Sequence, residues 1–148
     1  MKIGYAIYDI LSNDASVTGL VSTRIYPNVA KQTSAFPFLV YRTISVDPTD
    51  TKGGEIKGGT PDPSDGQSPL DTNTFEVLCF SETYSEAVNL AVKVRAALDR
   101  NTGTYVGVKV QGLSYLSSTE YFDIKGEGEG IYVQELSFNL RQQDPMNQ

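Results

Sequence analysis

Residues 72–98 hold the pattern that most constrains the fold, because a strand leads there directly into a helix. Toward Phe80 apolar residues occupy both faces of the predicted strand, which is typical of a central position in a sheet. Thr83 follows, and Glu86 stands three residues later, at the spacing of a helix capping box. The helix then presents one apolar stripe, in which two alanines allow close packing on a sheet: Tyr84, Ala87, Leu90, Ala91, Val94 and Leu98.

The remaining patterns predict two N-terminal helices and three more strands. Apolar residues at helical spacing indicate a first helix, and Asn13 and Asp14 can cap a second, shorter one that includes Val17, Leu20 and Val21. Alternation from Phe38 to Val46 predicts a strand. The last third of the sequence predicts two further strands. In the first, the alternation includes Val106, Val108 and Val110 and fades through residues 117–119. The second has four apolar residues on one face: Tyr132, Leu136, Phe138 and Leu140. We therefore expect an α+β fold with a mostly antiparallel four-stranded sheet and helices on one face.

One single domain over residues 1–148 is predicted, with two irregular segments. Residues 48–70 are rich in Gly and Pro and lie between the first two predicted strands, which indicates a long loop or an extended hairpin arm. Residues 142–148 are polar and are predicted to form a flexible tail. The 148-residue length is that of one domain with a real core.

Composition removes most enzyme chemistry. The chain has no His, the most frequent general base and a frequent metal ligand, and Cys79 is its single Cys. The net charge of −6 disfavours binding to free nucleic acid, which needs clustered cations. The longest apolar runs are too short to cross a bilayer, and no signal peptide is expected, so we expect the chain to be in a cytoplasm, at least while it folds.

Five features of the sequence could suggest a chemical site, and each has a plainer interpretation. In the glycine-rich stretch 53–60 Lys57 precedes the last glycines and prolines follow, so a phosphate-binding loop is not favoured. Four aspartates (Asp47, Asp50, Asp62 and Asp65) lack the spacing of a calcium loop. Glu127 and Glu129 resemble a carboxylate pair, but a solvated hairpin tip is the better interpretation. Cys79 is expected to be a core residue, and the tyrosines suit protein contacts. We expect no catalytic residue, metal or cofactor.

Candidate contact residues lie in three places. Arg42 interrupts the apolar side of the first predicted strand, which suggests a sheet edge or an interface. Lys52, Glu55 and Lys57 give the arm mixed charge, and docking on a neighbouring subunit and simple solvation are about equally supported. Glu127 and Glu129 at the predicted hairpin tip complete the set.

The order of these signals resembles that of a known family. Leu20-Val21 is followed by Arg24-Ile25-Tyr26-Pro27 and then by Pro37-Phe38-Leu39-Val40-Tyr41. The strand 75–80 and the helix with Tyr84, Glu86, Ala87 and Ala91 come next. This succession is similar to that of the tail terminator or tail-completion proteins of siphophages.

The resemblance implies a structural virion protein at the head-proximal end of the tail. Such proteins form a homo-oligomer, a hexameric ring that caps the tail tube, stops its polymerisation and offers a surface to the head–tail connector or stopper. The partners would be the tail tube protein and the connector, with DNA passing through the lumen without specific binding and no membrane contact. A head–tail adaptor or stopper is the alternative within virions, and a small carboxylate-dependent enzyme is an alternative of another class.

Overall fold

The computed structural model describes residues 3–31, 34–49, 70–124 and 130–143. Helices and strands follow the order α1 (Ile3–Ser12), α2 (Ala15–Val21), β1 (Ile25–Pro27), β2 (Phe38–Thr49), β3 (Leu70–Ser81), α3 (Tyr84–Leu98), β4 (Gly103–Tyr105), β5 (Val108–Ile124) and β6 (Gly130–Gln143). No helix in these ranges is long and apolar enough to span a membrane.

The strands form one sheet of six, in the order β1-β2-β3-β6-β5-β4. β1 pairs with β2 in parallel, and every other neighbouring pair is antiparallel. The α+β class and the mostly antiparallel sheet are as predicted, but the strand number of four is wrong. The two additional strands are β1 and β4, which have three residues each and lie at the two edges of the sheet.

The main core lies between the helices and one face of the sheet. Side chains from α1, α2 and α3 meet alternate residues of β2, β3, β5 and β6, among them the stacked rings of Phe75 and Phe138, whose centroids are 5.2 Å apart. The predicted stripe of α3 is buried except for Tyr84, whose side chain is exposed. The α3 stripe accordingly fixes which face of the sheet carries the helices.

The junction from β3 to α3 is held by a buried hydroxyl. The Glu86 backbone N–H donates to Thr83 Oγ1 at 3.3 Å, which is one half of a capping box. In place of the reciprocal bond, the Glu86 carboxylate accepts from Ser81 Oγ at 2.6 Å, and this hydroxyl in turn accepts from the Thr83 N–H at 3.2 Å. Ser81, the last residue of β3, therefore links the strand to the first turn of the helix.

Four predicted boundaries in the remaining sequence were wrong. Val106 does not extend a strand, because Val106 and Gly107 have positive φ angles of 50° and 79° and form the turn between β4 and β5. β5 does not fade at residues 117–119 but continues to Ile124. β2 and β3 include Pro48–Thr49 and Leu70, so they shorten the predicted arm at both ends. β6 reaches Gln143, and Gln142 is fully buried where a flexible tail was predicted.

The two long hairpins turn at opposite ends of the sheet. The end of β2 and the start of β3 lie beside the end of β6, since Thr49 pairs with Leu70 and Leu70 pairs with Gln143. At the other end Ile124 pairs with Gly130, close to where β3 finishes. β2 therefore ends and β3 begins at one end of the sheet, whereas β5 ends and β6 begins at the other.

Candidate interaction surfaces

The described residues offer no recognisable catalytic centre. No group of three or more His, Cys, Asp or Glu side chains that could hold a metal ion occurs in the part of the chain that the structure describes. Cys79 is fully buried in the main core, and its burial raises the pKa of the thiol far above its usual range. A thiol held protonated in an apolar core is a packing group and not a nucleophile.

The sheet face opposite the helices carries a second apolar cluster. Phe38 and Val40 of β2 meet Leu78 of β3 and Val133 of β6, and all four side chains are buried. The segment between β1 and β2 covers part of this cluster with Ala30 and Phe36, and partly buried Tyr26, Phe80 and Ile131 complete it. This face of the sheet, which we call the open face, is thus apolar at the end where β2 begins.

A groove of about 350 Å³ runs along this cluster. Its floor includes the rings of Phe38 and Phe80, which stack with centroids 4.7 Å apart. Lys31 and Arg42 stand among the residues that line it. An apolar floor with cationic residues beside it is suited to contact with another protein chain.

Beyond the apolar cluster, the open face carries an ionic cluster of three residues. Arg42 Nε lies 2.6 Å from Glu76 Oε1, and Arg42 Nη2 lies 3.7 Å from Glu135 Oε2. The three residues come from adjacent strands β2, β3 and β6. One cation therefore faces two carboxylates, and the cluster retains one negative charge.

Burial and the contacts within this cluster raise the pKa values of Glu135 and Arg42. Desolvation raises the pKa of Glu135, and the neighbouring Glu76 adds to the increase while Arg42 opposes it. The hydrogen bond to Glu76 raises the pKa of Arg42, and the guanidinium remains charged. Glu135 is consequently protonated more easily than an ordinary glutamate.

Two stretches of strand edge have no partner strand among the described residues. β4 pairs only with Val108–Val110 of β5. Farther along the same edge, the Leu113 carbonyl accepts from the Arg100 N–H at 2.7 Å, and the Tyr115 N–H donates to Asp99 Oδ1. No described strand pairs with the outer edge of 117–124. On the opposite side β1 covers β2 only as far as Tyr41, which leaves the edge of 43–49 without a described partner strand.

An aromatic corner lies on the helix side of the end where β5 and β6 turn. The Phe122 and Tyr132 rings have centroids 4.8 Å apart, and the Phe122 ring lies so close to Gly130 that no Cβ would fit there. The Tyr84 hydroxyl donates to Glu120 Oε1 at 3.0 Å. Phe122 and Tyr84 remain about half exposed, at 49% and 48%, so this corner also presents apolar surface.

Of the predicted contact residues, the structure describes only Arg42. Its side chain is 45% exposed and belongs to the ionic cluster described above. The predictions for Lys52, Glu55, Lys57, Glu127 and Glu129 fall outside the described residues. Glu76 and Glu135 were not singled out from the sequence, although each interrupts an apolar alternation in its strand as Arg42 does.

Comparison with known proteins identifies the family. The family model for "Tail completion protein gp17" matches residues 5–134. No curated protein matches this chain. A solved chain from the virion of a native gene transfer agent particle is 17% identical and superposes with a TM-score of 0.65 over 93% of this chain and 92% of that one. A second solved chain is 14% identical, with a TM-score of 0.44 over 87% of each chain.

The family match covers most of the chain, and the first of these superpositions shows that the fold is shared. Tail completion is a structural role in a phage virion and is not an enzyme class. The chain belongs to the family of phage tail-completion proteins described as gp17.

Proposed function

We propose that this protein forms a ring that caps the head-proximal end of the phage tail tube and ends its polymerisation. The observation that carries the proposal is the family match over residues 5–134. The mechanism is complementary contact, without bond chemistry: a closed ring needs two different patches on each subunit that fit each other. The open face and the aromatic corner supply apolar surface for such contacts, and the homo-oligomer is proposed to be a hexamer.

The proposed partners are the tail tube protein on one side and the head–tail connector or stopper on the other. The net charge of −6 suits a channel wall, because phosphates are repelled and DNA passes without sticking. Arg42, Lys52, Glu55, Lys57, Glu127 and Glu129 remain the proposed contact residues. A role as a head–tail adaptor or stopper, which would bind the connector and not the tube, is the second candidate within the virion.

Purified tail tubes test the proposal directly. The full chain is mixed with tubes and, separately, with isolated portal–connector assemblies, and both are imaged by negative-stain microscopy. We expect rings at one tube end and tubes that no longer elongate when free tube protein is added. Binding to connectors alone would favour the adaptor role, and binding to neither would contradict both. In the phage, loss of the gene is expected to give overlong or headless tails.

A further inference from the structure

The two strand edges that no described strand covers lie on opposite sides of the sheet and also at opposite ends of it. The β5 stretch 117–124 adjoins the turn to β6, whereas the β2 stretch 43–49 adjoins the other hairpin end. β2 and β5 also run in opposite directions, because three antiparallel pairings separate them. We infer that β5 of one copy pairs with β2 of the next copy as antiparallel neighbours, which joins the sheets of a ring into one closed wall. This inference rests on the proposed function.

The backbone groups available for pairing follow from the bonds already made. The backbone carbonyl of Leu113 and the backbone N–H of Tyr115 point away from β6, since they bond to Arg100 and Asp99. Along an antiparallel strand, residues whose backbone N–H and C=O bond to one neighbouring strand alternate with residues whose backbone groups point to the other side. Since Leu113 pairs with Leu140, the residues that pair with Leu136, Gln134 and Tyr132 also point outward. These outward residues are Ser118, Glu120 and Phe122.

The same alternation applies to β2. Leu39 donates its N–H to Arg24, and Tyr41 accepts from Asn28, so these residues point toward the outer edge. Beyond the irregularity between Thr43 and Ser45, the outward positions are Val46 and Pro48. Pro48 has no N–H to donate, so it can only accept a bond and limits how far a partner strand can extend.

The offset between the two edges sets how far neighbouring copies are displaced along the strands. Val46 lies level with Leu140 of β6, because Val46 pairs with Asn73 and Asn73 pairs with Leu140. Glu120 pairs with Gln134, which is six positions from Leu140 along β6. Placing Glu120 opposite Val46 of the next copy therefore displaces that copy by six residues along the strands. Six residues correspond to roughly 20 Å along the strand. Passing from β2 of one copy to β2 of the next takes four strand spacings, or roughly 19 Å.

These two lengths fix the tilt of the strands. Copies at equal height are joined through the two edges only if the strands lean about 45° from the ring axis, and closed barrels have tilts of about 35–45°. Each copy then spans about 28 Å of circumference, so six copies enclose a wall about 50 Å across by the same spacings.

Charge favours this pairing over pairing of β5 with itself. Residues 117–124 of β5 contain two carboxylates, Glu120 and Asp123, and no cation. Residues 43–49 of β2 contain one carboxylate, Asp47. Contact between two β5 edges would bring four carboxylates together and contact between β5 and β2 only three, so pairing with β2 is the less repulsive arrangement.

Cross-linking tests the inference. Glu120→Cys is combined with Val46→Cys, or with Thr43→Cys to allow for a shifted register, and the full chain is oxidised mildly, both alone at high concentration and on tail tubes. A disulfide requires the two Cα atoms to be about 4.4–6.8 Å apart, so only adjacent edges are linked. We expect a ladder of covalent oligomers from at least one pair. The matched control, Lys109→Cys with Val46→Cys, uses a β5 residue that β4 already covers and should give none.

The outcomes separate this inference from the proposed function. A ladder without capped tubes supports the edge pairing and contradicts the cap, and capped tubes without a ladder overturn the pairing alone. A ladder of equal strength in the control also overturns it. As a second measurement, Ser118→Pro removes one outward N–H and should raise the concentration for half-assembly at least about tenfold, the effect of roughly one interface hydrogen bond. Unchanged assembly of that variant contradicts the pairing, and if the variant does not fold, the cross-links decide.

Discussion

Two valines on α3 allow the contribution of its buried stripe to stability to be measured, because the same Val-to-Ala change at both positions has the same effect on helix propensity. Val94 is fully buried, whereas Val92 is 58% exposed on the same helix. Replacing Val94 by Ala removes two methyl-sized groups from the core, worth about 1.6 kcal/mol in transfer free energy, and leaves a small cavity that adds to the loss. Ala is the better helix former by up to about 0.7 kcal/mol, which offsets part of the cost. We expect Val94→Ala to lower the free energy of unfolding by about 1.5–3 kcal/mol.

Val92→Ala is the control, since it has the same change in chemistry and propensity but loses little burial. It should lie within about 0.5 kcal/mol of the parent or be slightly more stable. The assay is urea unfolding followed by circular dichroism, at two protein concentrations to exclude an effect of association. With a slope of about 1–3 kcal/mol per M, the Val94→Ala midpoint should fall by roughly 0.5–3 M. Equal midpoints for the two variants would refute the assignment of the buried face.

Two further predictions concern polar contacts. Ser81→Ala removes the hydroxyl that bonds both Glu86 and the Thr83 N–H, so it should lower unfolding free energy by about 1–2 kcal/mol in the same assay; a change within error would show that the hydroxyl link is not needed. Arg42→Met removes the group that holds down the pKa of Glu135, so that pKa, followed by carbon NMR of the carboxyl, should rise further. The charged form of Glu135 is then disfavoured in the folded state, so the variant should be less stable than the parent at about pH 7. That loss of stability should be regained as the pH falls through the folded-state pKa of Glu135 toward about 4. A difference in unfolding free energy between variant and parent that widens on acidification would contradict this.

The helices and the long strands could be predicted because burial imposes a period on their sequences. The α3 stripe and the alternation in β6 mark residues that face one core, and the Asp14 and Thr83 caps mark helix starts. β1 and β4 have only three residues each, too few for any period to appear. The far half of β5 lies at an edge and is exposed, so no alternation distinguishes it from a loop.

The ionic cluster was only half predictable. Arg42 drew attention because it breaks an apolar pattern, but its partners Glu76 and Glu135 depend on the register of three strands that are far apart in sequence. The turn at Val106 misled the strand prediction for a different reason. A β-branched residue with positive φ is unfavourable in isolation, and the β4–β5 pairing imposes it there.

The arrangement of the two hairpins, which reverse direction at opposite ends of one rigid sheet, offers a practical handle on polarity. β6 alone has 14 residues, a length of roughly 45 Å, so an epitope inserted within 50–69 and another within 125–129 would mark two well-separated poles of the subunit. Electron-dense antibody fragments against each epitope would then report which pole points toward the capsid. Since each insertion leaves the other end of the sheet unaltered, the two labels would give independent and opposite readings in the same particle.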